Sequence, residues 1–329
     1  MNCTARVLVT GGFGCIGAQT VRWLLESTDA SVVSAARAFT PERIVRAFGD
    51  KTSERLQFVT LDVRDQRRIE SLLIDENITH VIHLGALQTP DCNADRDAGL
   101  QINLAGTQNL IEAIRRRRPE LKRLVFASSV AVYGPRASYP LGRVPNDAAP
   151  APVNVYGVWK LAGELISGLF NIETGIPTVC LRPGALFGPG RDAGLTAAPT
   201  TAMKNLVFGK PFEIPFCNRQ DYLFSPDVGA AFGLAATEPF SGFGVFTLPS
   251  HTANTDELIS KMRIAAAELG LSSRFGITAG TMEVPFICDL DFQPFLAAFP
   301  SAPKTPLDVA IRQSLEFFME QRQRGWLQI

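Results

Sequence analysis

Histidine is scarce in this chain: His80, His83 and His251 are the three it has in 329 residues. The six cysteines, Cys3, Cys15, Cys92, Cys180, Cys217 and Cys288, are scattered, with no Cys-x-x-Cys pair among them. That poverty argues against a bound metal, and lone thiols fit a reducing cytoplasm. No apolar run approaches the roughly 18 residues a membrane span needs. Arg6-Val-Leu-Val-Thr10 is too short for a signal-peptide core and runs straight into a turn, so a soluble cytoplasmic protein is expected. Net charge is absent too, with Lys+Arg and Asp+Glu at 32 each, which argues against a nucleic-acid or anionic-membrane surface. The one basic run, Arg115 to Arg118, reads as the solvated C-terminal end of a helix. Internal repeats and low-complexity segments are lacking as well.

What is present is a 46% apolar chain, long enough for one large domain with a smaller lobe. Strand-like runs alternate with helix-period stretches. Strands are predicted at Arg6–Thr10, Ser31–Ala36, Leu56–Leu61, His80–Leu84, Lys122–Ala127 and Thr178–Leu181. Helices are predicted at Cys15–Glu26, Arg67–Glu76, Asp97–Arg117 and Val155–Glu173, and residues 136–152 as a surface loop. The fold class that follows is α/β: a doubly wound parallel sheet of Rossmann type with a smaller C-terminal substrate lobe. Past Arg182 glycine, proline and phenylalanine crowd the chain. The expected division is a dinucleotide domain of residues 1–183 and 222–250, and a lobe of residues 184–221 and 251–329.

Thr10-Gly11-Gly12-Phe13-Gly14-Cys15-Ile16-Gly17 ends the first strand and opens the first helix, the setting of a dinucleotide turn. Gly11 permits the tight turn, Gly14 the approach of the pyrophosphate, and Gly17 close helix–strand packing. The helix N-terminus, with Phe13, Cys15 and Ile16 in the turn, offers N–H groups and a positive dipole end to phosphates. The second strand ends on Ala35 and Ala36 without a carboxylate, followed by Arg37, so the cofactor reading is NAD(P) leaning to NADP. Asp62 is placed to accept from the adenine amino group, or alternatively to serve the start of the next helix. His83 reads as structural. Ser128 and Ser129 stand at the C-terminal edge of the fifth strand, where ligands of open α/β sheets bind. Tyr156 and Lys160, four apart on a helix, share one face, so the ammonium is expected to lower the phenol's pKa and suit it for acid/base work.

These motifs resemble those of the extended short-chain dehydrogenase/reductase family, also called the NAD-dependent epimerase/dehydratase family. The resemblance runs through Gly11/Gly14/Gly17, Asp62-Val63, His83-Leu84-Gly85-Ala86, Asn103, Ser128-Ser129, Tyr156-x-x-x-Lys160 and Arg182-Pro183-Gly184. It implies Ser129 as the group orienting the reacting oxygen, Tyr156 as acid/base, and Lys160 on the nicotinamide ribose. It implies Leu84, Gly85, Ala86, Asn103 and Pro183 along the cofactor, and homodimerisation through the helices near 97–117 and 155–173. The departures also speak. Val130-Ala131 stands where 4,6-dehydratases carry an acidic residue, which disfavours dehydration. Ala185 and Gln220 stand where nucleotide-sugar epimerases usually carry Asn and Arg, which weakens a diphosphate site. Trp159 replaces a common Ser and leaves the proton chemistry intact.

The reading is an oxidoreductase interconverting a secondary alcohol and a ketone on a small sugar-like or sugar-acid substrate. Gln88, Ser129, Arg191, Thr200 and Thr201 are the candidate substrate contacts, Arg191 for a carboxylate. The alternative is a sugar or nucleotide-sugar epimerase that retains its dinucleotide. A third reading, a cofactor-sensing binding protein, is disfavoured because Tyr156 and Lys160 are both present.

Overall fold

Short apolar runs separated by helix-length crossovers cannot pair as hairpins, and here they line up as a parallel sheet. The computed structural model describes residues 5–49, 53–117, 121–284, 287–327 and 329; Cys3 and Arg118 lie outside them. Strands β1 (Arg6–Thr10), β2 (Ser31–Ala36), β3 (Leu56–Thr60), β4 (His80–His83), β5 (Arg123–Ala127) and β6 (Thr178–Arg182) are followed by β7 (Ala185–Phe187), β8 (Phe212–Phe216), β9 (Gln220–Phe224), β10 (Phe243–Thr247), β11 (His251–Ala253) and β12 (Ile277–Met282). Seven of these form the main sheet in the order β10-β6-β5-β4-β1-β2-β3, paired in parallel throughout. The order reverses between β1 and β4, which opens a crevice at their C-terminal ends.

The helices are α1 (Cys15–Ser27), α2 (Pro41–Phe48), α3 (Gln66–Asp75), α4 (Thr89–Ala94), α5 (Arg96–Gly99), α6 (Gly106–Arg117), α7 (Val155–Thr174), α8 (Ala198–Phe208), α9 (Ser225–Thr237), α10 (Thr255–Glu268), α11 (Gln293–Ala298) and α12 (Leu307–Gln323). Successive residues of β1 serve opposite faces: Val7 and Val9 join the core under α1 and α9, and Leu8 joins the core under α3 and α6. Helices α1 and α9 pack backbone to backbone, since a Cβ on Gly229 would lie 2.5 Å from the Gln19 carbonyl carbon. A separate core gathers Met203, Leu206, Met262, Ile311 and Phe318 from α8, α10 and α12 with Ile214 and Ile277 from β8 and β12. Phe295 of α11 and Phe299 just past it instead pack with the sheet-side core. No described helix is long and apolar enough to cross a membrane.

Three expectations need amending. The helix predicted over 97–117 is interrupted: α5 leads into a π-helical turn, Leu100–Ala105, before α6. The wide turn carries Asn103, whose amide binds the Leu87 N–H (2.7 Å) and carbonyl (3.0 Å), while Trp159 lies against Gly99. Helix α2 was not anticipated, although Thr40 caps it by accepting from the Arg43 N–H and Pro41 occupies its first turn. The loop 136–152 is not wholly superficial: Val144 is buried and bridges Leu290, and the Asn146 amide binds β10 at Val245 and Thr247.

His83 is a structural tie. Its Nδ1 lies 2.7 Å from Thr10 Oγ1 and its Nε2 3.1 Å from Thr107 Oγ1, joining β1, β4 and α6. Burial, with help from the Lys160 charge, holds its pKa down to about 3. Between that value and the ordinary 6.5 an unfolded chain binds a proton that the folded chain refuses, so stability falls as pH drops through this window. His80, lowered to about 4 mainly by burial, acts in the same sense. Urea midpoints measured from pH 7 to pH 4 are expected to fall. The His83→Gln variant, which keeps a hydrogen-bonding side chain but cannot titrate, is expected to lose up to about 1.4 kcal/mol per pH unit of that slope.

Candidate active-site cleft

The crevice at the C-terminal strand ends is a cleft of about 680 Å³. Its walls run from the glycine turn of α1, past the ends of β4, β5 and β6, to Gln220 and Asp221 of β9 and to Ile287 and Leu290. Ser129, Tyr156 and Lys160 all line it. Asn154 caps α7 by accepting from the Gly157 N–H (2.9 Å), which sets Tyr156 in the first turn and Lys160 one turn on. Ser129 begins the turn after β5, its Oγ accepting from the Ala131 N–H at 3.1 Å.

Lys160 is 3% exposed, and its Nζ donates to the Ala127 carbonyl at 2.6 Å. It lies 5.1 Å from the Phe126 ring centroid and 5.7 Å from that of Tyr156. Burial lowers the ammonium pKa to about 8, against the pull of Cys92 and Glu164. Burial raises the Tyr156 phenol, while the Ser129 hydroxyl and the Arg191 charge pull it down. The expected lowering of the phenol by Lys160 is therefore not what this arrangement produces. The ammonium is spent on Ala127 and lies over the ring, so desolvation governs the phenol.

Behind these groups Glu164, one turn past Lys160, forms a buried ion pair with Arg182 (2.7 Å; side chains 4% and 7% exposed). Glu164 also accepts from Ser128 Oγ, and Arg182 reaches the Tyr133 hydroxyl (2.6 Å) and the Asn146 carbonyl (3.0 Å). Glu164 was not singled out from sequence, though its i,i+4 spacing from Lys160 was the available signal.

At the other end Gly11, Gly14, Cys15, Ile16 and Gly17 line the cleft. Gly11 has φ +70°, and a Cβ on Gly17 would lie 2.2 Å from the Gly11 carbonyl oxygen. No side chain caps α1, so the N–H groups of its first turn face the cleft free for an anion. Ser34 Oγ, buried behind Gly12, has no hydrogen-bond partner. This cradle fits a dinucleotide pyrophosphate. Leu84, Ala86 and Pro183 line the adjoining wall.

Several predicted contacts sit elsewhere. Phe13 is buried and stacked on Phe39 (5.3 Å, 12°) within a cluster that includes Phe48 and Phe58. Arg37 is exposed just past β2. Asp62 is held by Arg64 (2.6 Å), which with burial opposing it keeps the carboxyl below its usual range; the α3 cap is Asp65, not Asp62. Val63 packs on Gly106 and Gly85, and the Gly85 N–H binds Thr10 Oγ1. Asn103 is committed to the Leu87 main chain. Thr200 is fully buried, its Oγ1 accepting from the Gly188 N–H (3.1 Å), and Thr201 bonds back to Ala197, so neither forms the wall. Gln88 and Arg191 do form it, joined by a 3.0 Å hydrogen bond. Among the described residues no group of three His, Cys, Asp or Glu side chains is placed to hold a metal ion.

Comparison with known proteins places this geometry. The D-erythronate dehydrogenase of Haemophilus influenzae is 22% identical over 273 residues, covering 78% of this chain and 81% of that protein. The enzyme of the same name from Cupriavidus necator is 32% identical over 193 residues, 54% of this chain and 56% of the relative, so this match spans little more than half of it. A crystal structure of UDP-glucose 4-epimerase from Thermotoga maritima, with UDP-glucose, shares the fold with a TM-score of 0.82 at 20% identity, covering 96% of this chain and 99% of that one. Residues 7–246 match the NAD dependent epimerase/dehydratase family, and with its glycine cradle, Ser129 and the Tyr156/Lys160 pair this chain belongs to that family.

Proposed function

We propose that this protein is an NAD(P)-dependent oxidoreductase that interconverts a secondary alcohol and a ketone on a small sugar-like or sugar-acid substrate. The observation that carries this reading is the meeting of Ser129, Tyr156 and Lys160 on one wall of a cleft whose far end is an uncapped helix N-terminus. A bound nicotinamide supplies the hydride acceptor or donor. Ser129 donates to the substrate oxygen and holds it. Tyr156 takes the hydroxyl proton in the oxidation and returns it in the reduction. The Ser129 hydroxyl and the Arg191 charge, which pull the phenol down, support the negative charge that develops on its oxygen, and Lys160 is the partner proposed for the nicotinamide ribose. The name shared by the two dehydrogenase relatives supports a sugar acid. Epimerisation with a retained dinucleotide is the second reading, supported by the fold shared with UDP-glucose 4-epimerase.

The cofactor leaning is NADP. Supporting it, β2 ends without a carboxylate, Arg37 is exposed there, and Asp62 is already neutralised by Arg64. The proposed setting is a reducing cytoplasm, in keeping with five described cysteines that are all free. The proposed assembly is a homodimer. Helix α7 turns Tyr156, Lys160 and Glu164 inward and leaves Val158, Leu165, Leu169 and Ile172 exposed by 48%, 64%, 58% and 79%, an apolar stripe suited to a second copy.

Tyr156→Phe is expected to cut turnover by about 10²–10⁴-fold with dinucleotide affinity unchanged, measured by steady-state kinetics and titration; full activity would remove the mechanism. Dinucleotide that survives gel filtration of the wild type would favour the epimerase. In separate titrations NADP is expected to bind more tightly than NAD, and Arg37→Ala to erase about tenfold of that preference; a wild-type preference for NAD overturns the leaning. Leu169→Lys with Ile172→Lys is expected to convert a dimer to a monomer in sedimentation, and an unchanged mass would discard the α7 interface.

A further inference from the structure

Five buried side-chain polar atoms among the described residues have no hydrogen-bond partner, and two belong to residues of the cleft wall: Nε of Arg191 and Oε1 of Gln220. Such atoms cost free energy unless something completes them. The guanidinium of Arg191 is held in place by Gln88 (3.0 Å) and Thr196 (2.8 Å), both neutral. No carboxylate among the described residues pairs with it, and the neighbouring Asp192 is taken by Lys204. A fixed, partly buried cation without a counter-charge is a receptor for an anion. Gln220 is 1% exposed; one end of its amide binds the Tyr222 hydroxyl at 3.0 Å and the other end is unpaired.

Past Gln220 the cleft wall continues in Asp221, Ile287 and Leu290. Asp221 accepts from Thr252 Oγ1 (2.6 Å) and from the N–H groups of Asp289 (3.1 Å) and Leu290 (3.0 Å). It thereby ties down a strap that presents Ile287 and Leu290 to the cleft. Val144 holds the strap from the other side, accepting from the Asp291 N–H (2.9 Å) and donating to the Asp289 carbonyl (2.8 Å). Leu290 is buried with Val132, Tyr133 and Val144, an apolar plug. The arginines nearby are committed: Arg219 (2.7 Å) and Arg136 (3.4 Å) both pair with Asp289 on the strap itself. The plug is apolar, and Arg136 and Arg219 already share Asp289 as counter-ion, so a diphosphate there would have to compete with that carboxylate.

We infer that the cleft is built for a short polyhydroxylated monocarboxylate: Arg191 pairs with the carboxylate, the free end of the Gln220 amide bonds a chain hydroxyl, and the Asp221-anchored strap shuts out nucleotide diphosphates. This rests on the cleft being the substrate site of the oxidoreductase described above, and it names the class of substrate that site takes.

The test is a calorimetric titration of the cofactor-loaded protein with the four-carbon aldonates erythronate and threonate, and with uridine diphosphate as competitor. At least one aldonate is expected to bind the wild type. Arg191→Met is expected to weaken it on the order of 100-fold, Arg191→Lys to recover part of that loss, and Gln220→Leu to weaken it about tenfold. Dinucleotide affinity measured on each variant reports that the fold is intact, and uridine diphosphate is expected not to displace the aldonate. No aldonate binding to the wild type, equal binding to Arg191→Met, or displacement by uridine diphosphate would each overturn the inference. Because binding is read rather than turnover, the two readings fail separately. Aldonates that bind through Arg191 but never exchange hydride would sink the oxidoreductase and leave the receptor standing. Turnover of neutral polyols that Arg191→Met does not slow would do the reverse.

Discussion

The buried pair of Glu164 and Arg182 fixes the relation of the three chain segments that make the reaction site. Glu164 stands on α7 one turn from Lys160, Arg182 ends β6 next to Pro183, and Ser128 follows β5 next to Ser129; all three meet at one carboxylate. A buried carboxylate or guanidinium alone is costly, so each enforces the presence of the other, and the helix cannot slide along the sheet without separating charges in a dry interior. Through Tyr133 and Asn146 the same arginine also ties the loop that precedes α7. The reaction geometry is thus held from behind by a buried ion pair.

Burial sets the electrostatics in front of that pair. It raises the Tyr156 phenol and lowers the Lys160 ammonium, bringing a proton donor and a cation side by side with the donor kept protonated at neutral pH. Ser129 and Arg191 temper the phenol from the cleft side.

Local signals in the sequence carried most of the sheet and the centre of the cleft. Strand runs such as Arg6–Thr10, the glycine turn after it, and the i,i+4 spacing of Tyr156 and Lys160 depend on neighbours in the chain, so they were legible. Long-range packing decided the rest. Nothing near Leu290 announces that it will meet Val144, and Thr200 looks like any cleft hydroxyl until the Gly188 backbone claims it. The resemblance implied Asn103 along the cofactor, and helix periodicity cannot reveal the π-helical turn that points its amide at Leu87. Phe13 likewise was drawn into an aromatic cluster assembled from Phe39, Phe48 and Phe58, residues as far along the chain as β3.

The small sheet of β7, β9 and β11 joins the two parts of the molecule in a particular way. Along β9, Leu223 packs into the core under the main sheet while Tyr222 and Phe224 pack into the core of the lobe, and in β7 Leu186 and Phe187 divide in the same manner. Neither core has a seam of its own there; a slip of one residue would exchange the two sets of side chains and disrupt both at once. The larger domain and the lobe are therefore coupled through this sheet, and disorder in one core is felt in the other.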